Sequence, residues 1–240
     1  MKKYLYCLLV LFFVFASCEK KTIKGNGKVT EQTRLLEAFN QVSIMGAFDV
    51  VLVNSDSSRL RIIADENLIE NVVAIVEDSA LKISNIKTVI GSRELKLYIY
   101  APNIESVDFS GATELSSDSL LSWDALALNI TGAGKVDLQI DVKKFSVNVS
   151  GGAEITLKGK TDELALNIAG TGSLNAFSLK IGQCDIDISG FGRAYVDVEK
   201  MLRVNISGFG KVEYNGAPEI RQNITGSAKI IKAGTEPKDK

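Results

Sequence analysis

An all-β fold, built as a parallel β-helix-like solenoid of about seven short coils behind an N-terminal β portion with one short helix, is predicted by three observations on the 240-residue sequence. The first is a phrase written twice, Asp187-Ile188-Ser189-Gly190-Phe191-Gly192-Arg193 and Asn205-Ile206-Ser207-Gly208-Phe209-Gly210-Lys211. It is echoed at Asp108-Phe109-Ser110-Gly111, Asn129-Ile130-Thr131-Gly132, Asn148-Val149-Ser150-Gly151, Asn167-Ile168-Ala169-Gly170 and Asn223-Ile224-Thr225-Gly226. Successive glycines lie 18 to 21 residues apart, the length of one coil or one hairpin, and a fixed period of this kind decides the architecture. The second observation is parity: apolar residues sit two and four before the glycine (Ile130 and Leu128, Val149 and Val147, Ile188 and Ile186) and polar or small ones sit one and three before it. Alternation with period two marks a half-buried strand. The third is a column, in which Asp108, Asn129, Asn148, Asn167, Asp187, Asn205 and Asn223 all stand three before their glycine. Coils stacked about 4.8 Å apart would bring these side chains into amide ladders. Regular short strands also suit a sandwich or an up-and-down barrel; the column tips the balance to stacked coils, since a barrel gives it no reason to persist.

Taken in order, residues 1–17 have the form of a secretory signal: Lys2 and Lys3, an apolar run from Leu5 to Phe15, then small residues. The run is too short to span a bilayer, which takes about 20 apolar residues. Its end, Phe15-Ala16-Ser17-Cys18, resembles a bacterial lipobox and makes Cys18 the expected lipid-attachment residue of an envelope lipoprotein. Residues 18–36 show no alternation; their first part is expected to be a tether and their end the entry to the fold. In the N-terminal β portion, residues 37–106, strands are expected around Val42 and Ile44, from Phe48 to Val53, from Leu60 to Ile63, from Val73 to Val76, from Leu81 to Ser84 and from Leu95 to Tyr100. The short helix is placed at Asp65 to Val73, with Asp65 as its N-cap and acids in its first turn. The repeats occupy residues 107–232. Their glycines are expected at corners that need positive φ. Residues 233–240 form an expected disordered tail.

Three stretches together resemble the head GIN domain family of auto-transporter adhesins: Phe39 to Val50, Leu95 to Val107 and the serial Ser-Gly-x-Gly copies. The resemblance covers roughly Gly25 to Lys232. It implies an all-β, parallel β-helix-like domain on a secreted or lipid-anchored envelope protein, and it supplies no catalytic residues.

Composition narrows the function classes. Removing residues 1–17 takes away Lys2 and Lys3 and no acid, so 28 basic and 29 acidic residues become a net charge of −3, which draws in neither nucleic acid nor an anionic membrane. The chain has no histidine, the commonest general base and metal ligand. Cys184 falls on the apolar parity and is expected to be a small core residue. The Asn-x-Ser/Thr sequons are the repeat itself, Gly-Phe-Gly-Arg is followed by no helix pattern that would make a phosphate loop, and the acids Asp137, Asp185, Asp187 and Asp197 lack the rhythm of a calcium-binding β-roll. The expectation is therefore a protein that is not an enzyme and has no cofactor or metal. It would be a lipid-anchored adhesion, binding or structural module in the cell envelope of a Gram-negative bacterium, facing either the periplasm or the outside. Its expected partners are the membrane, through the anchor, and a glycan or surface protein. The candidate binding ribbon is the outward parity of the repeats: Asn129, Thr131, Asn148, Ser150, Asn167, Asp187, Ser189, Asn205, Ser207, Asn223 and Thr225. The alternative function is a periplasmic binder or carrier of a small apolar ligand or lipid, which would need an interior cavity.

Overall fold

The structure is a computed structural model that describes residues 21–234; the expected secretory signal, Cys18 and the expected tail from Thr235 onward lie outside the described residues. The strands, in chain order, are β1 (Thr22–Ile23), β2 (Val29–Leu35), β3 (Gln41–Met45), β4 (Phe48–Asn54), β5 (Arg59–Asp65), β6 (Val72–Glu77), β7 (Ala80–Asn85), β8 (Thr88–Val89), β9 (Leu95–Ala101), β10 (Ser106–Ser110) and β11 (Ala112–Ser117). There follow β12 (Leu121–Ile130), β13 (Ala133–Val149), β14 (Gly152–Ile168), β15 (Thr171–Ile188), β16 (Phe191–Ile206), β17 (Phe209–Gly216), β18 (Glu219–Ile224) and β19 (Ser227–Lys232). The molecule is all-β, with a β-solenoid of about 7 turns and one short helix.

From β12 to β16 each coil is essentially one bent strand, paired in parallel with the coils on either side. Registers are direct: Asn129 faces Asn148, Asn148 faces Asn167, Asn167 faces Asp187 and Asp187 faces Asn205. The sequence parity becomes burial parity, since Leu128, Ile130, Val147, Val149, Leu166 and Ile168 are all buried. Each repeat also has a second corner that the sequence reading did not locate. There two successive residues face outward, Asp124-Ala125, Lys143-Lys144 and Asp162-Glu163 in successive coils, and the inward parity shifts by one. Lys143 reaches Asp124 at 2.7 Å and Lys144 reaches Glu163 at 3.6 Å, so charges alternate along that edge. Unequal repeat lengths are absorbed locally: Ala176 pairs with Val196 while Lys180 pairs with Asp197, leaving extra residues bulged from β15.

The glycine column exists for a different reason from the one expected. Gly132, Gly151, Gly170, Gly190, Gly208 and Gly226 are absent from the positive-φ glycines; in the column, only Gly46 and Gly111 belong to them, at φ 140° and 122°. What excludes a side chain is close backbone approach. A Cβ on Gly170 would lie 2.0 Å from the Gly151 carbonyl oxygen, and one on Gly151 2.0 Å from the Gly132 carbonyl oxygen. Each corner rests directly on the one beneath it.

The N-terminal portion uses the same column out of chain order. Ser43-Ile44-Met45-Gly46 is a further copy of the phrase: β3 and β4 stack in parallel beneath β10 and β11, with Ser43 facing Asp108 and Val50 facing Leu115. Under that coil lie β7 and β9, also parallel to it. The chain between these coils goes out to close the end of the stack with antiparallel strands, β6 on β7, β5 on β9 and β2 on β5. Two expectations are corrected here. The helix is a 3-10 helix at Glu66–Asn71, and Asp65 makes no capping bond to it. Asp65 is instead fully buried, its Oδ2 accepting hydrogen bonds from the Gly27 N–H at 3.1 Å and the Arg93 N–H at 3.2 Å. The supposed tether also turns out to be folded from Lys21 on. β1 pairs with β8 and β2 with β5; β2 escapes the alternation test because it is an edge strand with no buried residue. At the opposite end β18 is exposed over its whole length.

Candidate binding surfaces

The ribbon residues are brought into one outward-facing column set, as their parity requires. Their amides and carboxylates bond to each other at three of the six steps along the column. Asn129 Nδ2 donates to Asp108 Oδ1 at 2.5 Å, Asn148 Nδ2 to Asn129 Oδ1 at 2.8 Å, and Asn205 Nδ2 to Asp187 Oδ1 at 2.8 Å. The Thr131 hydroxyl donates to the Phe109 carbonyl at 3.3 Å. Toward the C-terminal end, Asn167, Asp187, Ser189, Asn205, Ser207, Asn223 and Thr225 line only a shallow depression of about 150 Å³. Amides already bonded along the stack have less left to offer a ligand.

A second surface was missed by the sequence reading. The residue directly after each corner glycine also faces outward, and this column runs Ala112, Ala133, Gly152, Thr171, Phe191, Phe209 and Ser227. Four small residues are thus followed by two large aromatics. Phe191 and Phe209 are 59% and 57% exposed and stacked, with centroids 5.1 Å apart and planes 6° from parallel. Gly192, which follows Phe191, is the inward neighbour; a Cβ there would meet the Ile188 side chain at 2.8 Å, so the backbone is drawn inward and the rings stand proud of it. The free face of Phe191 overlooks the small residues of the preceding coils, and a groove of about 480 Å³ results, lined by Gly152, Thr171, Ser173, Phe191, Arg193 and Lys211. Arg193 is exposed, and Lys211 sits 3.1 Å from Glu213. The sequence signal was available in outward parity: phenylalanine where the sister copies carry alanine, glycine, threonine or serine.

The chemistry elsewhere is sparse. Cys184 is buried between Leu164 and Leu202 in register, and burial first, then the Asp185 charge, pushes its thiol above the ordinary range, so it is no nucleophile. Among the described residues, no three acidic or cysteine side chains gather to hold a metal ion. Trp123 is buried in the core.

The family model described as "Putative auto-transporter adhesin, head GIN domain" matches residues 38–218. Among solved structures, a "putative adhesin" from Bacteroides fragilis shares 22% identity at a TM-score of 0.82, covering 88% of this chain and 99% of that one. A "putative adhesin" and a "putative lipid binding protein" from Parabacteroides distasonis each share 23% identity, with TM-scores of 0.66 and 0.69, covering 89% of this chain and 100% of theirs. A search of curated proteins finds no match.

Proposed function

The chain belongs to the head GIN domain family of "putative auto-transporter adhesins", and from that premise we propose that it is a non-catalytic, lipid-anchored binding module of the bacterial envelope that holds an acidic surface glycan against Phe191 and Phe209. The observation that carries this reading is the stacked, exposed ring pair beside Arg193 and Lys211. Two phenylalanines left in water form an apolar platform of the kind that marks interaction sites, and exposed aromatics with a cation beside them are typical anchors of recognition. A sugar ring offers its C–H face to such a platform, and a carboxylate on it would meet Arg193. The lack of histidine and the burial of Cys184 support the non-catalytic part. A carrier of apolar ligands would need space within the coils, where Leu128, Val147, Leu166, Ile186 and Val204 stack with exposures of 0–1%; interiors packed this way leave little room.

The test compares two variants on a glycan array and in adherence to whole cells and extracellular matrix. Phe191→Ala with Phe209→Ala should weaken binding at least tenfold while the urea midpoint stays near wild type, since both rings are exposed. The triple variant Asn148→Asp, Asn167→Asp, Asn205→Asp should still bind once stability is matched. Loss of binding in the triple variant alone would move the site to the ribbon, and wild type that binds no glycan would overturn the reading.

A further inference from the structure

We infer that the corner of the fold where β1 meets β8, together with the Met45 end of β3, rests on the lipid bilayer rather than standing clear of it. The inference rests on the proposed lipid attachment at Cys18 and deepens it from an anchor to a contact surface.

Chain length makes the first argument. Lys21 is already pinned: its carbonyl accepts from the Thr88 N–H at 3.0 Å, the Ile90 N–H reaches the Ile23 carbonyl at 3.0 Å, and the Gly25 N–H reaches the Gly91 carbonyl at 2.8 Å. Only Glu19 and Lys20 separate Cys18 from this docked strand. Three steps of extended chain span at most about 11 Å. A cysteine whose acyl chains lie in the hydrocarbon therefore holds Lys21 close to the headgroup layer, which is itself roughly 5 to 8 Å deep on each side.

The chemistry of that corner makes the second argument. Met45, Ile86 and Ile90 are 65%, 66% and 63% exposed. Lys21, Met45 and Ile86 line one recess of about 320 Å³, and Lys24 and Lys87 are exposed on the segments that flank it. Apolar side chains among lysines are what a phospholipid interface accepts: the former sink to the acyl boundary and the latter stay among anionic headgroups. The mature chain as a whole carries a net negative charge, so the attraction is local to this corner. Nothing in the core calls for the three exposed apolar side chains, whereas a membrane held within reach does.

The test uses the full mature chain from Cys18, coupled at that cysteine to a maleimide phospholipid in vesicles of phosphatidylcholine and phosphatidylglycerol; buried Cys184 does not compete for the reagent. Ile86→Trp is expected to be quenched strongly by lipids brominated on their acyl chains. Asn175→Trp, exposed on the solenoid, is expected to stay at the level of the wild type, whose Trp123 is buried. Equal and weak quenching at both positions would overturn the contact. Alkyne fatty-acid labelling in cells tests the anchor separately: label in wild type and not in Cys18→Ala supports it, and equal labelling of both overturns the anchor and with it this inference. Because the vesicle experiment attaches the lipid chemically, a failed anchor and a failed contact give different results.

Discussion

From β12 to β16 every strand lies between the strands one coil earlier and one coil later, so its neighbours are found 17 to 21 residues away along the sequence. Between Gln41 and Ala101 the same parallel stacking is made from residues far apart: β3 pairs with β7 on one side and β10 on the other, and β2, β5 and β6 run antiparallel to close the end. The two regions share one core and one column, since Ser43 stands under Asp108 and Gly46 under Gly111. They differ in what their glycines and polar groups are for. In the solenoid these support a close backbone stack repeated many times; in the N-terminal portion single groups, such as Asp65 holding the loop of Gly25 to Gly27, fasten one irregular junction.

The largest effect that would sharpen this contrast is at the glycine stack. Gly170→Val should cost about 3 kcal/mol or more, because its Cβ would enter the Gly151 carbonyl. Gly152→Ala, a glycine with open space around it and no positive φ, should change stability by no more than about 0.5 kcal/mol. Urea midpoints measure both, and similar losses at the two positions would break the steric account.

Next in size is Asp65→Ala. It removes the buried carboxylate that accepts from the Gly27 and Arg93 N–H groups, and losing these charge-assisted hydrogen bonds should cost about 1 to 3 kcal/mol. Hydrogen exchange should quicken in β2 and β5 and stay unchanged in β14. Uniform quickening would mean that the two regions do not respond separately.

How much of this was legible follows from the same contrast. The parity of Leu128 and Ile130 and the column of Asn129, Asn148 and Asn167 were readable because periodicity repeats a weak signal until it is unmistakable. The role of the glycines was misread because a corner and a close approach demand the same residue, and only coordinates separate them. β2 was invisible because an edge strand with no buried residue has no apolar alternation to show. The Phe191 and Phe209 platform was written in the sequence twice, but it became a site only once register placed both rings in one outward column above Gly152 and Thr171.

Smaller effects belong to the charged edges. Arg203 pairs with Asp185 at 2.9 Å with both side chains partly exposed, so Arg203→Ala should lower stability by at most about 1 kcal/mol; a larger loss of urea midpoint would mean the pair is coupled to the core. At the second corner the Lys143 ammonium, by hydrogen bond and then by charge, holds the Asp124 carboxyl below its ordinary range. A carboxylate lowered in the folded state stabilises above its unfolded pKa and loses that contribution as pH falls through the folded value. Wild type should therefore exceed Asp124→Asn slightly in urea midpoint at neutral pH, and the difference should vanish in acid. A difference that grows in acid would contradict the sign.

The stacking of the N-terminal copy of the phrase under the solenoid is tested most directly by paired cysteines. Neighbouring parallel strands lie about 4.8 Å apart, and residues facing each other across them are within disulfide reach, whereas residues two coils apart, at about 10 Å, are not. In a Cys18→Ala background, Ser43→Cys with Asp108→Cys should cross-link readily under mild oxidation, and Ser43→Cys with Asn129→Cys should not. Efficient cross-linking of the second pair, or none of the first, would contradict the order of coils described here.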